Sequence, residues 1–177
     1  MYIILDSITR LLAPILTFTA EEVWNYLPDS QGKPASVHMT VFPEVSSEYL
    51  NPELGEKWKT LLAVKGEISK AIEIARKAKI VGHPLDAMVE LSAKDKLRSL
   101  LEKNVETIKQ LNIISDLKIA DELGPVTYES AELEGLKVSV AKAGGEKCQR
   151  CWMLSTTVGS YPEFPGVCER CLKNLKP

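Results

Sequence analysis

The chain has 177 residues, 45% of them hydrophobic and 26% charged, with a formal net charge of −2. That length bounds it to one ordinary domain or two small ones, and the composition is that of a soluble globular protein, not a disordered or membrane one. No apolar run approaches the ~20 residues that span a bilayer. The first segment, "MYIILDSITRLL", has no basic n-region or cleavage site and is broken by Asp6 and Arg10, so it does not read as a signal peptide; the expected location is the cytoplasm.

Ile4, Ile8, Leu11 and Ile15 recur at helical spacing from the start, which predicts a helix over 2–13 ended by Pro14. It begins with no capping residue, the expectation for a helix whose chain was cut upstream. In "FTAEEVWNYLP" a second helix is expected, with Thr19 and Glu22 as a capping box, Phe18 and Val23 as a hydrophobic staple, and Pro28 as its stop. Glu21 and Glu22 are adjacent, so they point about 100° apart on a helix and do not form a catalytic carboxylate pair; in a first turn they favour the helix dipole. Residues 28–51 are a connection rich in Pro, Ser and Asp, with one alternating run, "SVHMTVF".

From Asn51 and Pro52 a long helix is predicted to about Lys79, burying Leu54, Trp58, Leu61, Ile68, Ile72 and Ala75. "DAMVEL" reads as a strand, "KDKLRSLLEKN" and "VETIKQL" as helices, "DLKIA" and "LKVSVAKA" as strands, and Gly144-Gly145 as a hinge. The expected fold class is mainly α with a small α+β part. It divides into a helical region (1–79), a small α/β junction subdomain (80–145) and a terminal module (146–177).

Charge is unevenly spread. Residues 1–55 carry two bases and seven acids, 56–120 thirteen and nine, 121–135 none and five, 136–177 seven and three. The middle and the end therefore suit local contact with nucleic acid, although solvated helix faces give the same pattern.

All four cysteines lie in "EKCQRCWMLSTTVGSYPEFPGVCERCLKNL", as two C-x-x-C pairs with sixteen residues between them. Cys148, Cys151, Cys168 and Cys171 match the spacing of a zinc site made of two close pairs. Thiolates are soft ligands that suit tetrahedral zinc, and the glycines and prolines between the pairs supply the reversals that bring them together. Disulfides do not suit a cytoplasmic chain, and a thioredoxin-like pair needs one C-x-x-C beside a βαβ unit. An iron–sulfur cluster is the minor alternative. With four protein ligands the single zinc is structural.

No catalytic constellation stands elsewhere. His38 and His83 lack partners at ligand or triad spacing, and neither G-x-x-x-x-G-K-[ST] nor G-x-G-x-x-G occurs. The chain alone is expected to be non-catalytic.

Three blocks, in order, carry a likeness. "LLAPILTFTAEEVWNYLP" with "SVHMTVFPE" resembles the start of the anticodon-binding region of bacterial-type class I isoleucyl-tRNA synthetases. "AIEIARKAKIVGHPLDAMVEL" is similar to the segment that follows it there. "EKCQRCWMLSTTVG" with "VCERCLKNL" is similar to their closing zinc finger. The resemblance implies a C-terminal fragment: a helical anticodon-binding bundle segment, a junction subdomain and a zinc finger. It would grip tRNA(Ile) for ATP-dependent aminoacylation by a catalytic domain whose HIGH and KMSKS signatures do not occur in this sequence. Met1 is then an internal methionine or an introduced start, the remaining synthetase is a partner, and the protein is a monomer.

The resemblance also implies site residues. The four cysteines match the zinc ligands, and Trp152 matches a tryptophan that follows the second ligand. Beside Lys147, Arg150 and Arg170, Trp152 would stack on a base; the competing reading makes it a lid over the zinc. Met153 departs from the family, many members of which have a polar residue there. Lys65, Arg76, Lys77 and Lys79 on the long helix are further candidates for RNA backbone contact. Two other classes remain: a formamidopyrimidine-type DNA-repair glycosylase, whose zinc hairpin has similar spacing but whose N-terminal proline is absent here, and a zinc-stapled protein-interaction module.

Overall fold

The computed structural model describes residues 1–29, 32–125 and 128–175, in two compact units, Met1–Asn51 and Pro52–Pro177.

In the first unit, α1 (Tyr2–Leu12) and α2 (Thr17–Tyr26) pack together and against a 3-10 turn at Val37–Met39. The core is small: Ala13, Ala20, Trp24, Leu27 and Val37. The Trp24 indole N–H donates to the Pro34 carbonyl at 2.9 Å. Arg10 and Lys33 approach the same ring, at 5.6 and 5.5 Å from its centroid. Glu21 Oε2 accepts from the Ser36 hydroxyl at 2.7 Å and the Val37 N–H at 3.1 Å, so this carboxylate pins the turn.

Three expectations are corrected here. No capping box forms at Thr19, because the chain turns tightly after α1, with Leu16 N–H donating to Leu12 O and Ala20 N–H to Leu16 O. The helix therefore starts at Thr17, and Thr19 is already inside it. Phe18 is 90% exposed and staples nothing. The stripe Ile4, Ile8, Leu11 and Ile15 is exposed, while Thr9 is the buried residue of α1. The alternating run "SVHMTVF" holds the 3-10 turn at Val37–Met39.

The second unit starts with α3 (Pro52–Lys77), whose buried residues are Leu61, Val64, Glu67, Ile68, Ala71, Ile72 and Ala75. Leu54 and Trp58, expected in that stripe, are exposed because packing begins only at Leu61. The sheet comprises β1 (Ala87–Ser92), β2 (Asp116–Ile119), β3 (Tyr128–Glu129) and β4 (Lys137–Lys142), in the order β2-β1-β4-β3. β1 and β2 are parallel, with Val89 opposite Leu117, and two helices form the crossover, α4 (Asp95–Lys103) and α5 (Val105–Asn112). A parallel pair needs such a long connection. β4 pairs antiparallel with β1, Val89 opposite Val140, and with β3.

Ala87, Val89 and Leu91 alternate inward along β1, as one buried sheet face requires. They meet Leu61 and Ile68 of α3 and Ile108 of α5 in one core. The long helix was grouped by sequence with residues 1–79; in the structure it packs on β4 and α5, and the units divide at Asn51 and Pro52. The chain ends in a hairpin of β5 (Glu146–Lys147) and β6 (Leu154–Ser155) and the short α6 (Glu169–Leu172).

Candidate metal centre and nucleic-acid interface

Gly145 leads into the hairpin at φ +88°, and a Cβ there would stand 2.2 Å from the Ser155 carbonyl carbon. Only glycine allows both that dihedral and that approach. The first knuckle then folds back on itself: Trp152 N–H donates to Cys148 O, and Cys148 N–H to Met153 O, both at 2.9 Å. Gln149 N–H reaches Gly166 O at 2.9 Å, tying the first knuckle to the second. Cys168 sits at the start of α6, with Cys171 one turn on.

These turns bring the four Sγ atoms within 4.8 Å of one another. Zinc held by four sulfurs at about 2.3 Å places neighbouring sulfurs about 3.8 Å apart; Cys151 and Cys168 Sγ are 3.7 Å apart. Burial drives the Cys151 thiol up to about 12 and raises Cys168 as well. At Cys148 burial is outweighed by N–H groups of Cys151, Cys168 and Arg150, which bring it down to about 6. Confined thiolates repel one another, so full ionisation of this cluster calls for a cation. The donor set, the distances and the absence of a position for water all fit a structural zinc.

Val158 and Val167 pack against the cysteines. Trp152 is 61% exposed, at φ +66°, with the Lys147 ammonium 5.6 Å from its ring centroid. Arg150 is exposed beside it, and Arg170 Nη1 lies 3.3 Å from Met153 Sδ, so Lys147, Arg150, Trp152 and Arg170 gather around the first knuckle. Lys65, Arg76, Lys77 and Lys79 are exposed on a different element, α3 and its end. Of these, Arg76 donates through Nε and Nη2 to Glu73, both at 3.0 Å.

The module is docked on the sheet by Ser115, a residue that sequence reasoning missed. Its Oγ accepts from Leu154 N–H at 2.7 Å and donates to the Leu85 carbonyl. A cavity of ≈ 360 Å³ lies between α5 and the module, lined by Lys109, Ser115, Met153, Thr157 and Arg170 among others. A lone serine between strand and helix carries no sequence signal for such a role.

Residues 1–91 match the family described as anticodon-binding domain of tRNA ligase, and residues 145–174 match the zinc finger found in FPG and IleRS. The isoleucine–tRNA ligase of Carboxydothermus hydrogenoformans is 47% identical over 171 residues, 97% of this chain and 18% of that protein. Those of Persephonella marina and Geobacter sulfurreducens are each 40% identical, over 99% of this chain and 19% of theirs. The chain thus spans less than a fifth of the length of these relatives. The match over 1–91 does not favour the glycosylase reading, and the zinc-finger match together with the sulfur cluster makes the module the seat of one structural zinc.

Proposed function

The chain belongs to the family of anticodon-binding domains of tRNA ligases, and from that membership we propose that it is the tRNA-gripping part of an isoleucine–tRNA ligase. It holds the anticodon end of tRNA(Ile) while a catalytic domain elsewhere in the parent protein carries out ATP-dependent aminoacylation. It acts in the cytoplasm as a monomer. Among the described residues no helix is long and apolar enough to cross a membrane.

One observation supports this reading most: Trp152, one residue after the Cys151 ligand, is largely exposed with Lys147 across its ring. A flat exposed indole with a cation over its face is suited to stack on an unpaired base while Lys147, Arg150 and Arg170 meet phosphates. Lys65, Lys77 and Lys79 extend the positive surface along α3; Arg76 contributes less, because Glu73 neutralises it. In this account zinc stiffens the knuckle and does no chemistry, and the chain's own side chains do all the binding.

Base–aromatic stacking is worth about 1–3 kcal/mol per base, so Trp152→Ala should weaken tRNA(Ile) binding by roughly tenfold, measured by filter binding, with the zinc content of the protein unchanged. Loss of zinc in that variant, or unaltered tRNA affinity, would count against the assignment of Trp152.

A further inference from the structure

The cavity of ≈ 360 Å³ between α5 and the zinc module has the size of a small-ligand site. One wall presents Glu106, Lys109 and Gln110, which share a face of α5 at i, i+3 and i+4. The other presents the apolar side chains of Met153 and Leu154 together with Arg170. The remaining polar side chains of the lining are engaged within the protein. Ser115 Oγ is taken up by the Leu154 N–H and the Leu85 carbonyl. The Ser155 and Thr157 hydroxyls bond each other at 2.8 Å, Glu169 holds Lys173 at 2.8 Å, and Cys168 belongs to the sulfur cluster.

Glu106, Lys109 and Gln110 differ from these: among the described residues no hydrogen bond or ion pair engages their side chains. The side chain of Arg170 has only the Met153 thioether, a weak acceptor 3.3 Å from its Nη1. A carboxylate that only accepts, an amide that donates and accepts, and two cations on opposite walls therefore stand free around an apolar surface. A bare anion would meet Glu106 as a like charge. A nucleotide uses every group. Its base lies against Met153 and Leu154, an exocyclic amino group donates to a carboxylate, a glutamine amide bonds the neighbouring edge, and the cations face phosphates. The cavity also adjoins the exposed indole, because Met153 follows Trp152 in the chain and carries the sulfur that Arg170 touches.

We infer that this cavity is a second base subsite, which takes an unstacked, amino-bearing base of the bound RNA. The amino group donates to Glu106, Gln110 bonds the adjoining edge, and Lys109 and Arg170 meet the flanking phosphates. The inference rests on the RNA-binding reading above. It goes further by giving α5 a part in reading sequence, which a stacked indole does not supply, since every base has a π-face.

The test uses the full chain and the anticodon stem-loop RNA of isoleucine tRNA, intact and with each loop base in turn replaced by an abasic site. Wild type is compared with Trp152→Ala and with the double variant Glu106→Ala/Gln110→Ala, whose two positions are exposed on a helix that alanine favours. Two abasic sites should each weaken wild-type binding by about tenfold. The penalty at one should vanish in Trp152→Ala, and the penalty at the other in the double variant. Penalties that depend on Trp152 alone overturn the subsite and leave the RNA-binding reading standing. No wild-type binding to the RNA overturns both. A variant-free measurement guards against damage to α5. At the position assigned to the cavity, a base lacking the amino group (purine for adenine, inosine for guanine, pyrimidin-2-one for cytosine) should weaken wild-type binding by about fivefold, the value of one hydrogen bond. Equal binding of that analogue, or a uracil at that position, overturns the proposal.

Discussion

Glu67 stands in the middle of α3 with its side chain 2% exposed, a position where an unpaired carboxylate would be costly. Lys70 Nζ donates to its Oε1 at 2.6 Å and to Glu132 at 2.7 Å, and the Tyr128 hydroxyl donates to its Oε2 at 2.9 Å. Burial pushes this carboxyl up, but Lys70, Ser130 and Tyr128 outweigh it and hold it below its ordinary 4.5. A carboxylate depressed by folding contributes stability above its unfolded pKa and loses it as pH falls through the folded value. Glu67→Gln should therefore lower the thermal midpoint clearly at pH 7, with the gap to wild type closing below about pH 4. A gap independent of pH would contradict this. Sequence did not disclose Glu67, because periodicity reveals a buried stripe only where the stripe is apolar, and its partner Tyr128 and the Glu132 that shares Lys70 with it are both more than sixty residues away. Ser115, bonded to Leu85 and Leu154, was hidden for the same reason. The four cysteines were legible at once, since their spacing is local.

At the scale of elements, runs with a strong period came through. α3, β1, the helix pair of the crossover, β2 and β4 all lie within a few residues of where hydrophobic patterning places them. Terminal signals fared worse. The capping box at Thr19 is a sound local motif, yet the hydrogen bonds of the turn after Pro14 start α2 earlier. The two-residue β3 is set wholly by its pairing with β4, which no local pattern announces. The hairpin that opens the zinc module depends on Gly145, where a side chain would face both a left-handed dihedral and the Ser155 backbone. Gly145→Ala should cost about 1–3 kcal/mol, read as weaker zinc retention against a chelator and faster proteolysis within 146–175. Wild-type retention and resistance would show that the hairpin shifts to accommodate the methyl group.

For the molecule as a whole, two kinds of stabilisation operate in the second unit. The α3–sheet core is held by apolar burial, whereas the zinc module is too small for that, its buried cluster being little more than the cysteines themselves. Metal binding in comparable small sites supplies about 10–16 kcal/mol, which makes the zinc the main source of the module's folding free energy. The most direct measurement is the affinity of the 177-residue chain for isoleucine tRNA across a salt series, with duplex DNA as control, before and after zinc is removed. Binding to tRNA should fall steeply with salt, as phosphate contacts require, exceed binding to duplex DNA, and be lost on chelation while the helix content of α3 persists. Binding that is unchanged after zinc removal, or equal for duplex DNA, would contradict this.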